Sequence, residues 1–224
     1  MPFLLFILYY VYMCSIWHQG KWVDVVVDDF LPVIDGAPAF LQSGTPNEFW
    51  APLLEKAYAK LKGSYWNLSG GRATNALVDL TGGVAETYRL GAICNDALPP
   101  NFMTKFKKRL ENEKVRNLAC VVVWKGGDKI GLLESHAYTV IKVTNVKVGE
   151  RSVDLVQLRN PWGNEFEWGG DWGDDSELWE QVSQEDKERI GYTKKADGEF
   201  FMEWATMVDR MSVLSEVRIF TFPY

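Results

Sequence analysis

The chain has 224 residues, of which 47% are hydrophobic and 14% aromatic, and its formal net charge is −6. This length suits one ordinary domain or two small lobes, and this composition excludes a disordered chain. The mild negative charge provides no basic surface, so we expect no nucleic-acid partner. Three cysteines, Cys14, Cys94 and Cys120, lack metal-binding or redox spacing and predict reduced thiols in a cytoplasmic protein.

The first fourteen residues, MPFLLFILYYVYMC, are almost wholly apolar. This run is too short to span a bilayer comfortably, and it lacks the basic residues that begin a secretion signal. We therefore expect no membrane attachment. Residues 1–15 are interpreted as an atypical apolar leader, which is either a buried segment or a sequence foreign to the mature protein.

Residues 16–82 predict a first lobe. The run WVDVVVDD at 22–29 predicts a strand that ends in a polar turn. Between residues 47 and 62, apolar side chains recur at helical spacing, and Gly63 is expected to end this helix. Gly82 and Gly83 mark the expected boundary with a second lobe over 83–224.

The second lobe is predicted to be rich in strands, at 119–124, 136–148, 152–159 and 213–222. Helices are predicted at 101–113, 183–190 and 202–211. Hairpin-length connections between strands cannot produce parallel pairs, so we expect a mainly antiparallel sheet.

His136 and Asn160 form the first candidate site. His136 begins the run HAYTVIKVTNVKV, Asn160 follows the run VDLVQLR, and a turn signal around Gly149 lies between them. Both residues are twelve positions from Val148, so a hairpin centred there would place them directly or nearly opposite each other. Such a pair can act as a base and its orienting amide, or as a structural histidine beside a strand-end asparagine.

Acidic residues form the second candidate site, because many of them crowd two glycine-containing loops. Calcium prefers carboxylate and carbonyl oxygens on loops of this kind, but a solvated acidic loop has the same composition. The residues concerned are Glu165, Glu167, Asp171, Asp174, Asp175, Glu177, Asp197 and Glu199.

Several segments resemble the calpain family of cysteine proteases. SHAYTV at 135–140 resembles the family's histidine motif, and RNPWG at 159–163 resembles its asparagine motif. Further similar segments occur in the same order: GKWVDVVVDD at 20–29, NEFW at 47–50, LLEKAYAK at 53–60, SGG at 69–71 and DGEF at 197–200. The resemblance covers roughly residues 16–222.

The resemblance implies an α+β fold, namely a papain-like calpain protease core. A mainly antiparallel second lobe with flanking helices would follow the C-terminal part of an α-rich first lobe. It makes His136 the general base, Asn160 its orienter and Trp162 the indole that shields them, although Trp162 could also be a plain core residue. In the family, this tryptophan acts as a wedge between the lobes when calcium is absent.

The resemblance also implies Ca²⁺ as a cofactor. An extra residue near 164–167 leaves Glu165 as a rival for the first ligand, and Glu48 would be a remnant of the first-lobe site. The ligands implied for the second lobe are Glu167, Asp174, the backbone carbonyl of Lys195, Asp197 and Glu199.

No segment resembles the one that carries the family's cysteine nucleophile, so no nucleophile is assigned. The resemblance implies a calcium-dependent endopeptidase that performs limited proteolysis of cytoplasmic proteins, with further calpain domains or a regulatory subunit as partners. Without a nucleophile, this chain alone is expected to be a truncated, inactive catalytic domain. The alternative is a non-catalytic calpain-like protein that senses calcium or binds partners.

Overall fold

The computed structural model describes residues 11–45, 47–91, 97–124, 130–163 and 167–220. The chain divides into two compact units, one ending at Gly83 and the other beginning at Val84. None of the helices described in these ranges combines the length and the apolar character needed to cross a bilayer.

The first unit is built on the hairpin of β1 (Val11–His18) and β2 (Lys21–Asp28). Its two-residue turn has positive φ at Gln19 (50°) and Gly20 (84°), as tight hairpins with right-handed strand twist require. Cys14 and Ile16 are buried with Val25 and Val27 against α1. Residues 11–15, which were assigned to the leader, thus begin a strand of the hairpin.

Two helices accompany this hairpin. α1 (Trp50–Lys62) covers it, and Lys60 donates to the carbonyl of Val26 at 2.7 Å. The sequence predicts this helix three residues too early, but its end is confirmed, because Gly63 follows with φ 104°. The remaining elements are β3 (Val33–Ile34), β4 (Ala37–Pro38), a 3₁₀ turn at Trp66–Leu68 and α2 (Ala73–Thr81).

α2 was not predicted from the sequence. Its Asp79 accepts a hydrogen bond from the hydroxyl of Tyr58 at 2.8 Å and lies 2.7 Å from the ammonium of Lys62, so contacts with α1 hold it. These partners are distant in the sequence, so a local pattern cannot reveal them.

The second unit contains a six-stranded sheet, and every neighbouring pair of strands in it is antiparallel. This confirms the α+β class and the mainly antiparallel sheet. The strand order is β5-β10-β6-β7-β8-β9. The strands are β5 (Val84–Arg89), β6 (Val115–Val123), β7 (His136–Val148), β8 (Arg151–Arg159), β9 (Glu199–Glu203) and β10 (Val213–Phe220).

Buried apolar clusters lie on both faces of this sheet at β7, β8 and β9. Leu155 and Val156 are adjacent on β8, yet they belong to two different buried clusters, because successive side chains point to opposite faces of a strand. Elements that surround the sheet include α3 (Phe102–Leu110), α4 (Gln184–Ile190), α5 (Trp204–Arg210) and a 3₁₀ turn at Glu177–Gln181.

Candidate active site

The imidazole of His136 contacts the side chain of Asn160. His136 is the first residue of β7, and Asn160 directly follows β8. Their Nε2 and Oδ1 atoms are 2.9 Å apart, and Asn160 is completely buried. A buried amide with a hydrogen-bonded imidazole is the arrangement of a base and its orienter.

The predicted register of this hairpin is wrong. Val148 pairs with Arg151 across a two-residue turn, and the ladder runs regularly to Lys142 and Gln157. Val140 then pairs with Leu158, so Ile141 is an extra residue, a β-bulge on β7.

This bulge decides which side chains share a face. The last pair is Thr139 with Arg159, so Asn160 falls across from Tyr138 and diagonal to His136, on the same face. Without the extra residue, Asn160 would lie across from Thr139, whose side chain points to the other face. The predicted contact is present because of the bulge, although the two residues are not directly opposed.

The backbone around Asn160 assigns the proton on the imidazole. The N–H of Trp162 donates to Asn160 Oδ1 at 3.1 Å, so this atom is an acceptor. His136 Nε2 must therefore carry a hydrogen and donate it to the same oxygen. Nδ1 is then left with a free lone pair, which is what a general base needs.

Trp162 lies beside this imidazole. Its ring centroid is 4.7 Å from that of His136, with 58° between the ring planes. The side chain is 58% exposed, so Trp162 is not a core tryptophan. Its indole limits the access of water to one side of the imidazole.

Sequence reasoning missed the role of Gly198 in holding Asn160. The N–H of Asn160 donates to the carbonyl of Gly198 at 2.8 Å. Gly198 has φ 86°, and a Cβ there would lie 2.9 Å from the carbonyl oxygen of Asn160. The available signal was a glycine between two acidic residues, in a segment interpreted as calpain-like and as part of a calcium loop.

The described cysteines lie away from this pair or deep in the fold. Cys120 pairs with Thr139 on β7, so its side chain points to the face opposite His136. Burial raises the pKa of the Cys120 thiol to about 11, and burial also raises the pKa of Cys14. Neither residue has the features of a reactive thiolate. Cys94 lies outside the described residues.

Three of the predicted calcium ligands converge on the turn at 195–199. Glu167 Oε1 accepts from the N–H of Gly198 at 2.6 Å, and Asp174 Oδ2 accepts from the N–H of Lys195 at 2.9 Å. Asp197 Oδ1 accepts from the N–H of Glu199 at 3.0 Å. The carbonyl of Lys195 accepts from the N–H of Asp197 at 3.0 Å.

The other predicted ligands are engaged elsewhere. Glu199 accepts from Gln157 and from Arg159, each at 3.0 Å. Glu48, in the first unit, accepts from Ser43 at 2.6 Å and from the indole of Trp50 at 3.3 Å. Glu165 lies outside the described residues. Among the side chains that the structure describes, no group of three or more His, Cys, Asp or Glu is arranged to hold a metal ion.

Electrostatics nevertheless link the carboxylates of this turn. Burial raises the pKa of Glu167, the N–H of Gly198 opposes this, and the charges of Asp174 and Asp197 raise it further. Burial likewise raises the pKa of Asp174, opposed by the N–H of Lys195, and the charge of Asp197 adds to the rise. The donors are all oxygens, as calcium prefers, and their mutual repulsion would be relieved by a cation.

Comparison with known proteins gives a consistent result. The family model described as "Calpain family cysteine protease" matches residues 9–218. Calpain-A of Drosophila melanogaster is 40% identical over 197 residues, which cover 84% of this chain and 23% of that protein. Calpain-5 of Mus musculus is 36% identical over 229 residues, covering 96% and 36% respectively.

Calpain-9 of Rattus norvegicus is 37% identical over 212 residues, which cover 91% of this chain and 30% of the relative. The chain thus spans about a quarter to a third of the length of these relatives. The family model begins at residue 9, inside the segment interpreted as a leader. This chain belongs to the calpain family of cysteine proteases.

Proposed function

We propose that this chain supplies the general base and its orienting amide to a calcium-dependent, calpain-like cysteine endopeptidase. The observation that carries the proposal is the 2.9 Å contact between His136 Nε2 and Asn160 Oδ1, which leaves Nδ1 as the basic nitrogen. The proposed substrates are cytoplasmic proteins that undergo limited cleavage. Further calpain domains or a regulatory subunit are the proposed partners.

In this mechanism, His136 Nδ1 takes the proton from a cysteine thiol, and the thiolate and imidazolium form an ion pair. The sulfur attacks the scissile carbonyl carbon, and the imidazolium donates its proton to the departing amine nitrogen, which leaves a thioester. Water that gives a proton to His136 Nδ1 then attacks the thioester carbon, and the C–S bond breaks to release the carboxyl product and restore the thiolate. Asn160 keeps the ring oriented throughout without adding a charge that would compete for the proton. Trp162 shields the ion pair from water on one side.

The thiol is not supplied by a described cysteine of this chain, because Cys14 and Cys120 are both buried with raised pKa values. No segment of the sequence, including the one around Cys94, resembles the family's nucleophile segment, so we also propose that the chain alone does not cleave peptides. The burial of both thiols also favours a second candidate function, a non-catalytic calpain-like protein that senses calcium or binds partners.

Calcium is proposed to bind at the turn 195–199 of the second unit. The carboxylates of Glu167, Asp174, Asp197 and Glu199 and the carbonyl of Lys195 would hold it, with Glu199 first released from Gln157 and Arg159. Bound calcium would neutralise the clustered charges. Because Gly198 lies within this turn and bonds Asn160, a rigid turn would also hold the orienting amide in place.

A chimera tests the catalytic proposal. Residues 11–220 would replace the matching region of Calpain-9 of Rattus norvegicus, so that the relative provides everything else. We expect calcium-dependent casein hydrolysis that falls on the order of 10⁴-fold or more in the His136→Ala variant, because the base is lost. Asn160→Ala should reduce kcat by about 10²-fold with little change in KM.

Two results would contradict these proposals. One is a chimera whose hydrolysis is unchanged by His136→Ala. The other would overturn only the proposed inactivity of the chain alone: casein cleavage by the purified chain that is lost in His136→Ala and retained in Cys14→Ala, since that would reveal a nucleophile within the chain. A matched control is His18→Ala, which removes the other histidine of the chain and should leave hydrolysis unchanged.

A further inference from the structure

A buried tyrosine lies two residues after His136. We infer that Tyr138 is a positioning residue for the His136 imidazole, acting through its ring and through the loop 130–135 that leads into β7. This inference rests on the proposed function of His136. Nothing in the proposed chemistry requires Tyr138 to touch the substrate or the sulfur.

The hydroxyl of Tyr138 is tied to this loop. The side chain is completely buried, and its oxygen accepts a hydrogen bond from the N–H of Leu133 at 2.9 Å. It also lies within 3.4 Å of the carbonyl of Gly131, to which it donates. A buried tyrosine hydroxyl needs such partners, and here the backbone just before His136 provides both of them.

The opposite side of the loop is held by the segment 167–169. Gly131 has φ 100°, and a Cβ there would lie 1.8 Å from the carbonyl oxygen of Glu167. The N–H of Gly169 donates to the carbonyl of Ile130 at 2.8 Å. The loop is therefore held between the Tyr138 hydroxyl and a backbone contact that only glycine allows.

The loop ends in a strained residue next to the imidazole. Ser135 has φ 54°, in the left-handed region that costs a residue with a side chain about 1 kcal/mol or more. Surrounding contacts must hold this conformation, and the loop anchors described above contribute to it. Release of the loop would let Ser135 relax and would turn the start of β7, where His136 lies.

The ring of Tyr138 supports the imidazole directly. Their centroids are 5.0 Å apart at 85°, an edge-to-face contact between neighbours on one face of β7. The Tyr138 ring in turn packs edge-to-face on the buried core residue Phe200, with ring centroids 5.8 Å apart. The ring position is thus fixed by the core, and the hydroxyl fixes the loop relative to it.

The test uses the full chain and the variant Tyr138→Phe, which keeps the ring and removes the hydroxyl. Imidazole ¹⁵N NMR resolves the two histidines of the chain, His18 and His136. We expect the parent His136 to populate the Nε2–H tautomer. In the variant, the Nδ1–H population should rise about five- to tenfold relative to Nε2–H, as the loss of one buried hydrogen bond allows.

Tyr88→Phe is the matched control, since Tyr88 also makes two side-chain hydrogen bonds in the same unit, but lies on β5, three strands from β7. It should leave the His136 signals unchanged. Gly131→Ala should disturb the same loop while the chain keeps its tyrosine at position 138. It should shift the His136 signals and leave the His18 signals unchanged. Unchanged His136 signals in Tyr138→Phe, or an equal change in Tyr88→Phe, would overturn the inference.

Discussion

The two units bury their strands to different extents. In the first unit, the β1–β2 hairpin packs on α1 and α2, and the buried cluster described there has five members, among them Ile16. In the second unit, buried clusters lie on both faces of the sheet at β7, β8 and β9, and one of the two described clusters has eighteen members. Phe30 and Trp66 of the first unit remain 83% and 81% exposed.

This difference shows where a precise site can be built. His136 and Asn160 belong to a sheet whose strands are each held by neighbours and by core residues, so their relative position is determined within the second unit. Glu48 lies in the first unit, where its described partners are local residues. The catalytic proposal therefore depends on the stability of the second unit.

Core truncations should have the largest effect on stability, and they test directly whether the two units differ. Leu158→Ala in the second unit and Ile16→Ala in the first each remove a completely buried side chain, which costs about 2–5 kcal/mol. Because the first unit has the smaller core, we expect Ile16→Ala to unfold it while the second unit stays folded. Hydrogen-exchange mass spectrometry reports each unit separately.

In the same measurement, Leu158→Ala should raise exchange in the second unit without abolishing its protection. Equal responses of both units to Ile16→Ala would show that they unfold together. Val33→Ala, at an exposed position of β3, serves as a control that should change neither.

The second largest effect is expected on the alkylation rates of the cysteine thiols. With a pKa of about 11, Cys120 is only about 0.1% thiolate at pH 8, so its alkylation should be about a hundredfold slower in the folded chain than after unfolding in urea. Cys14 should also be slowed, because burial raises its pKa. Iodoacetamide labelling followed by mass spectrometry gives both rates, and rapid labelling of folded Cys120 at neutral pH would contradict its burial and its raised pKa.

Calcium should raise thermal stability by a moderate amount, through the second unit, where its proposed ligands lie. At a calcium concentration about a hundred times the Kd, binding stabilises the folded state by about 2.7 kcal/mol, which raises Tm by roughly 5–10 °C. Asp197→Ala combined with Glu199→Ala should abolish the rise. Differential scanning calorimetry measures it.

The matched control for calcium is Glu177→Ala combined with Glu180→Ala, which removes two acidic residues from the neighbouring 3₁₀ turn. This variant should keep the calcium-dependent rise. If the parent chain shows no rise with calcium, the metal proposal fails, and if the control loses it as well, the assigned ligands are wrong.

The smallest effect is expected at Trp66. Because its side chain is 81% exposed, Trp66→Ser should change the free energy of unfolding by less than about 0.5 kcal/mol. Urea denaturation of the first unit measures this difference. A loss of stability several times larger would contradict this exposure and would mean that the indole makes a stabilising contact in solution.

Local pattern was sufficient for the elements with strong periodicity. The limits of β7 are as predicted, and β8 and α1 differ by one to three residues at one end, because alternation and helical spacing are short-range signals. β5 and β9 were not predicted as strands. β9 has the short run EFFME, and its assignment depends on pairing with β8, whose partner residues are forty or more positions away.

The sequence by itself determined the family, the antiparallel second unit and the presence of a histidine and an asparagine near a shared hairpin. Only the tertiary structure decided that they share a face, because the extra residue Ile141 changes the alternation of β7 by one position. The contact between Gly198 and Asn160 and the packing of the Tyr138 ring against His136 were also visible only in the tertiary structure. Such contacts depend on exact register and close backbone approach between distant segments, which residue spacing does not encode.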